Sequence, residues 1–460
     1  MLFTTLNFLI FLAVVLSLFY LLPRPQRRYL LLAASLFFYM VWNAKFVVLI
    51  LGLITIDYFA ALWIVHKRGR QRRVALLVSL CANVGLLGYF KYTNFLRDTY
   101  FSVFHAGLPI QPLDIILPLG ISFHTFQSIS YVIDVYRGEQ PAIKSYFDYA
   151  LFVAFFPQLV AGPIVRAREF FADYFNWQPP TGEEWQRGFA MIVTGYVKKL
   201  IFADQFAMVA DSYFNNPQAM PGLLPAWSAS VAFALQIFFD FSGYTDIAIG
   251  VALLFGFHFP ENFRRPYLSA SVTEFWRRWH MTLSGWLRDY IYISLGGNRR
   301  GKIRTYANLM LTMLIGGLWH GANWNFVIWG GYQGAWLAIE RIVYGRKERE
   351  GFERIPLAVL TFAITCIGWV FFRAKTFAAA AFVIGQMFSK TMGTSVLSTT
   401  QLLLILATLA IALAEEYKAV LTRLTESPLW LRTAATVVAL LALELFTASE
   451  QSIPFVYFQF

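Results

Sequence analysis

Long apolar runs punctuate the chain at about 4–22, 29–42 with its flanks, 46–65, 74–92, 146–165, 188–210, 226–256, 305–319, 323–340, 355–373, 376–389, 400–414 and 429–447. A helix needs about 20 apolar residues to cross a hydrocarbon core about 30 Å thick. Backbone polar groups inside that core must be satisfied within the element itself, which a helix does. The fold class expected is therefore an all-α polytopic membrane protein. Several runs are shorter than a full crossing and are expected as half-spans or tightly coupled pairs. No soluble domain, internal repeat or low-complexity tract interrupts them. Only 14% of residues are charged, against about 25% in soluble domains. The 14 Trp, 23 Tyr and 46 Phe suit packing and anchoring at the membrane–water interface. Met1 to Tyr20 has no positive leading region and no small-residue cleavage site after it, and reads as a retained first span. Cys81 and Cys366 lie in separate apolar segments and are expected as small buried residues, not as a disulfide or metal pair.

The net charge is +12. It lies in short loops between apolar segments, the pattern that sets topology, so the lipid bilayer and not nucleic acid is the expected partner. Arg24, Arg27 and Arg28 follow the first run, and Lys67, Arg68, Arg70, Arg72 and Arg73 follow the third. The positive-inside rule puts both loops in the cytoplasm and the N-terminus outside. Stretch 257–304 has no clean span and carries nine Arg and Lys against three carboxylates, a surplus of +6 that is half the chain's total. It too should be cytoplasmic. By a count of crossings, that requires one candidate between 92 and 256 not to cross. Segment 117–135, with His124, Gln127 and Asp134, is expected to be that one, as a helix buried in protein or a re-entrant piece. Segment 305–340 should enter and return, because Arg341, Arg346, Lys347, Arg349 and Arg354 follow it.

The chemistry is expected in this second half. The run Tyr306 to Trp319 has fourteen residues, which as a helix reach about 21 Å. His320 then lies at membrane depth, at the turn of a hairpin, where an ionisable side chain is costly unless it lines a cavity or does work. Gly316, Gly317 and Gly321 around it permit close backbone approach or non-helical dihedrals. His320 is the candidate base for an acceptor hydroxyl, or a group that binds an acyl carbonyl. His280 ends the string Phe275-Trp-Arg-Arg-Trp-His280. On a helix, Trp276, Trp279 and His280 would share a face, with Arg277 and Arg278 pointing elsewhere, as in an interfacial helix. If the two histidines converge, one acts as base and the other orients or polarises the substrate. Asp240-Phe-Ser242-Gly-Tyr-Thr-Asp246 is a polar knot within an apolar run, and its carboxylates are expected to hold structure. Pro157 to Pro163 reads as a helix end. His66, His105 and His258 sit near loops and are read as incidental. Phosphate-loop, dinucleotide, serine-elbow and zinc-type spacings are not found in the sequence.

Six strings carry a resemblance: Leu117 to Gly138, Phe156 to Pro163, Asp240 to Asp246, Phe275 to His280, Leu287 to Asn298 and Gly316 to Ala322. With the ending Pro454 to Phe460, they resemble the membrane-bound O-acyltransferases, in the bacterial branch of the alginate O-acetylation membrane protein. The likeness covers nearly the whole chain. It implies a ring of transmembrane and re-entrant helices around a central tunnel, organised as one domain over 1–460. Within that domain, 1–95 would supply N-terminal spans, 117–340 the catalytic core and 355–460 C-terminal spans. It implies His320 as the essential histidine and His280 as its partner. Arg277, Arg278, Arg288, Trp319, Asn323, Asp240 and Ser242 are the candidate donor or substrate contacts, and Arg299, Arg300 and Lys302 could add charge for a donor's phosphates. No metal and no tightly bound cofactor is expected. Acetyl-CoA or another acyl thioester would be the donor substrate, arriving from the cytoplasm of a bacterium whose inner membrane holds the protein. An exported or membrane-anchored SGNH-type acyltransferase and polysaccharide-export machinery would be its partners. The stretch 376–400 is short for the alginate members, so cellulose or another exopolysaccharide is as open as alginate. A teichoic-acid, protein or lipid acceptor keeps the enzyme and changes the substrate. A non-catalytic transporter is the reading from another class, though the inverted repeats expected of transporters are not seen.

Overall fold

The computed structural model describes residues 1–104, 111–343, 345, 353–418, 427–446 and 455. His105, Arg346, Lys347, Arg349 and, apart from Phe455, the stretch Pro454 to Phe460 lie outside them. The described residues are helical, with no strand among them. They divide into one unit of residues 1–189 and 248–260 and another of 190–247 and 261–460.

In the first unit, α1 (Leu6–Leu21), α2 (Arg24–Asn43), α3 (Lys45–His66) and α4 (Gly69–Leu87) follow one another closely. Thr5 caps α1 by accepting from Phe8 N at 3.3 Å. Arg24 and Pro25 open α2, where Pro's fixed φ is already helical. A polar pairing joins α3 and α4: Asp57, fully buried, accepts from Ser79 Oγ at 2.6 Å and from Asn83 Nδ2 at 2.8 Å. A carboxylate in a candidate span is tolerable because both donors come with it.

Beyond a helix at Thr93–Phe104, α5 (Ile121–Arg137) is the segment expected to be buried in protein, and it is. Thirteen of its residues are buried, among them His124, Gln127 and Asp134. It starts at Gly120, whose φ of +70° and close approach to the Leu159 carbonyl leave no room for a Cβ. The run 146–165 is not one continuous helix, and the helix end read at Pro157 to Pro163 is present. The run breaks after α6 (Tyr146–Ala154), at Phe155, and a single turn Phe156–Leu159 follows. Pro157 opens that turn, and at Gly162 a side chain would strike the Gln158 and Pro157 backbone. The side of 257–304 is therefore read from its charge and not from a count of crossings.

Helix α7 (Leu223–Leu254) is 32 residues long. In the second unit, two short helices, α8 (Val272–Arg278) and α9 (Met281–Trp286), precede α10 (Lys302–His320) and α11 (Trp324–Val343). They are followed by α12 (Arg354–Arg373), α13 (Phe377–Met387) and α14 (Thr399–Lys418). Five helical stretches among the described residues are long and apolar enough to cross a membrane: α3, Gly69–Phe104, α7, α12 and Thr399–Glu416 of α14. Leu402, Leu403, Leu406 and Leu409 are exposed on α14, as suits hydrocarbon and not water. Cys366 is buried as expected; Cys81 is not, and is exposed on α4.

The hairpin expected over 305–340 is present. Gly317 packs on Phe326, Gly330 on Met313 and Gly334 on Met310, so α10 and α11 run antiparallel in close contact. Their glycines permit that distance, as small residues do in membrane helix pairs. Gly317→Val would drive its methyls into the Phe326 carbonyl. Overpacking of this kind costs about 1–3 kcal/mol, so the purified variant should unfold at a lower temperature than wild type and accumulate less. Equal melting and abundance would show that the pair has slack.

Candidate active site

His320 is the last residue of α10, where Gly321, in extended backbone, ends the helix. Asn323 starts the next one: its Oδ1 accepts from Asn325 N at 2.9 Å, the capping bond that Asn supplies well. The imidazole is 6% exposed. Three aromatic rings meet it edge to face: Trp319 at 5.0 Å, Trp329 at 5.1 Å and Phe372 at 5.2 Å between centroids. Phe372 comes from α12, which α11 fastens through Asn325 Nδ2 to the Ala374 carbonyl at 2.8 Å and Tyr332 OH to the Ile364 carbonyl at 2.8 Å. The start of α10 is held as firmly, because Asn308 Nδ2 donates to the Gly297 carbonyl at 2.8 Å.

His280 is fully buried and sits between α8 and α9 with φ +42° and ψ +56°. This corrects the helical-face expectation: α8 stops at Arg278, Trp279 is extended, and His280 turns left-handed. A non-glycine residue held there costs about 1–3 kcal/mol, and such positions cluster at functional sites. Among the described residues, four partners fix the ring. Asn262 Oδ1 lies 3.1 Å from Nδ1, and Phe241, Phe263 and Trp319 lie 4.7, 6.3 and 6.1 Å away by ring centroids. Burial pushes the His280 pKa down to about 3, so the ring is neutral. The two histidines converge on the Trp319 indole, which is itself 4% exposed.

The other candidates are placed differently. Arg278 is already paired, to Glu274 at 2.8 Å and Glu416 at 2.9 Å. Arg265 also pairs with Glu416, at 2.7 Å, and Arg354 with Glu274, at 2.8 Å. The network ties α8 to α12 and α14, and Arg278 therefore holds structure where a phosphate contact was expected. Arg277 is exposed, and Arg288, also exposed, pairs with its neighbour Asp289 at 2.7 Å. Asp240 lies 2.8 Å from Lys199, which pairs at the same distance with Asp204, and Asp246 pairs with Lys198 at 2.6 Å. Asp240, a candidate substrate contact, is thus ion-paired inside the protein, as is Asp246. Ser242 is buried and its Oγ finds no hydrogen-bond partner among the described residues. Asn323 serves as a cap. His258, read as incidental, bridges Glu184 at 2.9 Å and Asp173 at 3.3 Å.

Sequence reasoning missed Asn262, Trp329, Phe372 and Phe241. Only the motif strings flanking them gave a signal; none carries a spacing that announces a site.

The sequence model of the membrane-bound O-acyltransferase family matches residues 139–380. The chain belongs to that family. Its relatives include a "Probable alginate O-acetylase" of Pseudomonas syringae pv. tomato, 46% identical over 388 residues, 82% of this chain and 73% of the relative. A "Peptidoglycan O-acetyltransferase" of Helicobacter pylori is 39% identical over 387 residues, 78% of this chain and 73% of the relative. A "Teichoic acid D-alanyltransferase" of Bacillus subtilis is 29% identical over 287 residues, 58% of this chain and 71% of the relative. The resemblance read from the motifs is thus borne out: this membrane-bound O-acyltransferase is an all-α, multi-pass enzyme that transfers acyl groups.

His320→Ala should lower acyl transfer by about 10² to 10⁴, the usual weight of a general base, at equal membrane abundance. His280→Ala should also be severely impaired. Groups that act as a unit are non-additive, so the double variant should be little worse than either single one. Fully multiplicative losses would mean that they work apart.

Proposed function

We propose that the enzyme takes an acetyl, or another short acyl, group from a cytoplasmic thioester such as acetyl-CoA and delivers it across the inner membrane. The product is an O-acetylated exported polysaccharide, made through an exported or membrane-anchored partner acyltransferase. The observation that carries this reading is the pair of buried histidines sharing Trp319. Relatives named for acetyl transfer to alginate and to peptidoglycan support an acetyl group and a polysaccharide acceptor.

In the step proposed, His320 takes the proton of an acceptor hydroxyl as its oxygen attacks the thioester carbonyl. The carbon–sulfur bond breaks and the departing thiolate receives that proton, leaving an ester and a thiol. His280 orients the reacting groups. Trp319, Trp329 and Phe372 around His320 leave little room for water, which suppresses hydrolysis of the donor. The catalytic core would span 117–340, with 1–95 and 355–460 as flanking spans. A polyanionic donor cannot enter hydrocarbon and would dock on the basic 257–304 stretch. Arg278 is committed to Glu274 and Glu416; the exposed Arg299, Arg300 and Lys302, with Arg277 and Arg288 beside them, would meet its phosphates.

Purified enzyme in vesicles with labelled acetyl-CoA, with and without a candidate exported partner, tests the whole reading. Label should leave acetyl-CoA and reach a polysaccharide only when the partner is present. Transfer to lipid or protein alone would overturn the acceptor. Replacing Arg288, Arg299 and Arg300 together by Gln should raise the donor KM without loss of insertion, and the difference should shrink at high salt. A flat KM with reduced insertion would make these arginines determinants of topology only.

The orientation proposed puts the N-terminus in the periplasm and 257–304 in the cytoplasm, from the placement of Arg and Lys. A cysteine placed at Asn298 should resist a membrane-impermeant thiol reagent in intact cells and react in inverted vesicles. Labelling from outside alone would reverse the topology and the donor route.

A further inference from the structure

Asn262 lies on the segment before α8 and is 1% exposed. Its Oδ1 is 3.2 Å from Thr282 N, 2.9 Å from Thr282 Oγ1 and 3.1 Å from His280 Nδ1. A backbone N–H can only donate. The atom facing Thr282 N must therefore be the amide oxygen, which removes the ambiguity that an amide side chain otherwise carries. An amide oxygen can only accept, so His280 must present a protonated Nδ1 to it. A neutral imidazole carries one N–H, and the lone pair then belongs to Nε2. The backbone clamps the same geometry. The Asn262 carbonyl accepts from Met281 N at 2.9 Å, and Arg264 N donates to the Arg278 carbonyl at 2.8 Å, on either side of the left-handed His280.

We propose that Asn262 is a positioning residue of the acyl transfer, whose side-chain oxygen holds His280 in the Nδ1–H tautomer and leaves Nε2 as its accepting nitrogen. The inference rests on the reading of His280 as the partner of His320, and it narrows that role. A neutral His280 with a bare Nε2 accepts a hydrogen bond during transfer; it does not donate one to the acyl carbonyl. The carbonyl must find its donor elsewhere. Asn262 Nδ2 meets no acceptor among the described residues. Asn262→Asp thus removes a group that makes no bond and keeps an oxygen for Nδ1–H. Asn262→Ala removes the constraint.

The test is nitrogen NMR of full-length, detergent-solubilised enzyme carrying ¹⁵N-histidine, with the His280 signals assigned by their loss in His280→Gln. The wild type at neutral pH should show His280 with a protonated Nδ1 and a bare Nε2. Asn262→Asp should keep that pattern, and Asn262→Ala should give the other tautomer or a mixture, with the His320 signals unmoved as the control for folding. Transfer from labelled acetyl-CoA should fall on the order of 10²-fold or more in Asn262→Ala, as when a catalytic histidine loses its tautomer, and far less in Asn262→Asp. A wild-type His280 protonated at Nε2, or an Asn262→Ala spectrum identical to wild type, overturns the inference whatever the activity. The expected spectra with transfer undiminished in Asn262→Ala and in His280→Gln would uphold the tautomer and strike instead at the role given to His280.

Discussion

A histidine delivered to membrane depth by a helix must be enclosed by protein, because lipid offers it no hydrogen bond and no dielectric relief. Much of the second unit answers that demand. The α10–α11 hairpin turns directly after His320, and its interfacial glycines draw the two helices together until Trp329 reaches the ring. Helix α12 is pinned to α11 by side chain to carbonyl bonds, and it brings Phe372. The enclosure includes Trp319, Trp329 and Phe372, so the imidazole meets aromatic rings that tolerate a partly charged neighbour.

The second histidine is enclosed by different means. No helix carries it. It stands at the break between two short helices, in a backbone conformation that only surrounding structure can sustain. That structure includes the ion pairs joining Arg265, Arg278 and Arg354 to Glu274 and Glu416, which secure α8 against helices far away in sequence. Partly buried networks of this kind are worth more as geometry than as stability. Of the two arginines within Phe275 to His280, Arg278 braces the helices through its ion pairs.

The first unit follows the same rule without the chemistry. Asp57 is matched by Ser79 and Asn83, and α5 keeps its polar face inside protein. The charge-based reading of 117–135 succeeded because hydroxyl, amide and carboxyl groups at short intervals cannot face hydrocarbon under any packing. The break within 146–165 was legible too: hydropathy averages over a window and hides it, but Pro157 to Pro163 marks the helix end. A single proline at the head of a turn, with a glycine pressed against that turn from below, ended the helix.

The sequence by itself determined the class of fold, through the length and number of its apolar runs, and it placed His320 at the turn of a glycine-packed hairpin, since both follow from local periodicity and helical rise. The motifs also sufficed for the family. Tertiary structure alone decided where His280 sits, because a left-handed residue between two helices has no periodic signature. It alone decided that Arg278 is paired and that Asn323 is a cap. It alone revealed Asn262, eighteen positions from the histidine it touches, since a hydrogen bond between distant segments depends on how the chain returns and not on what lies beside it.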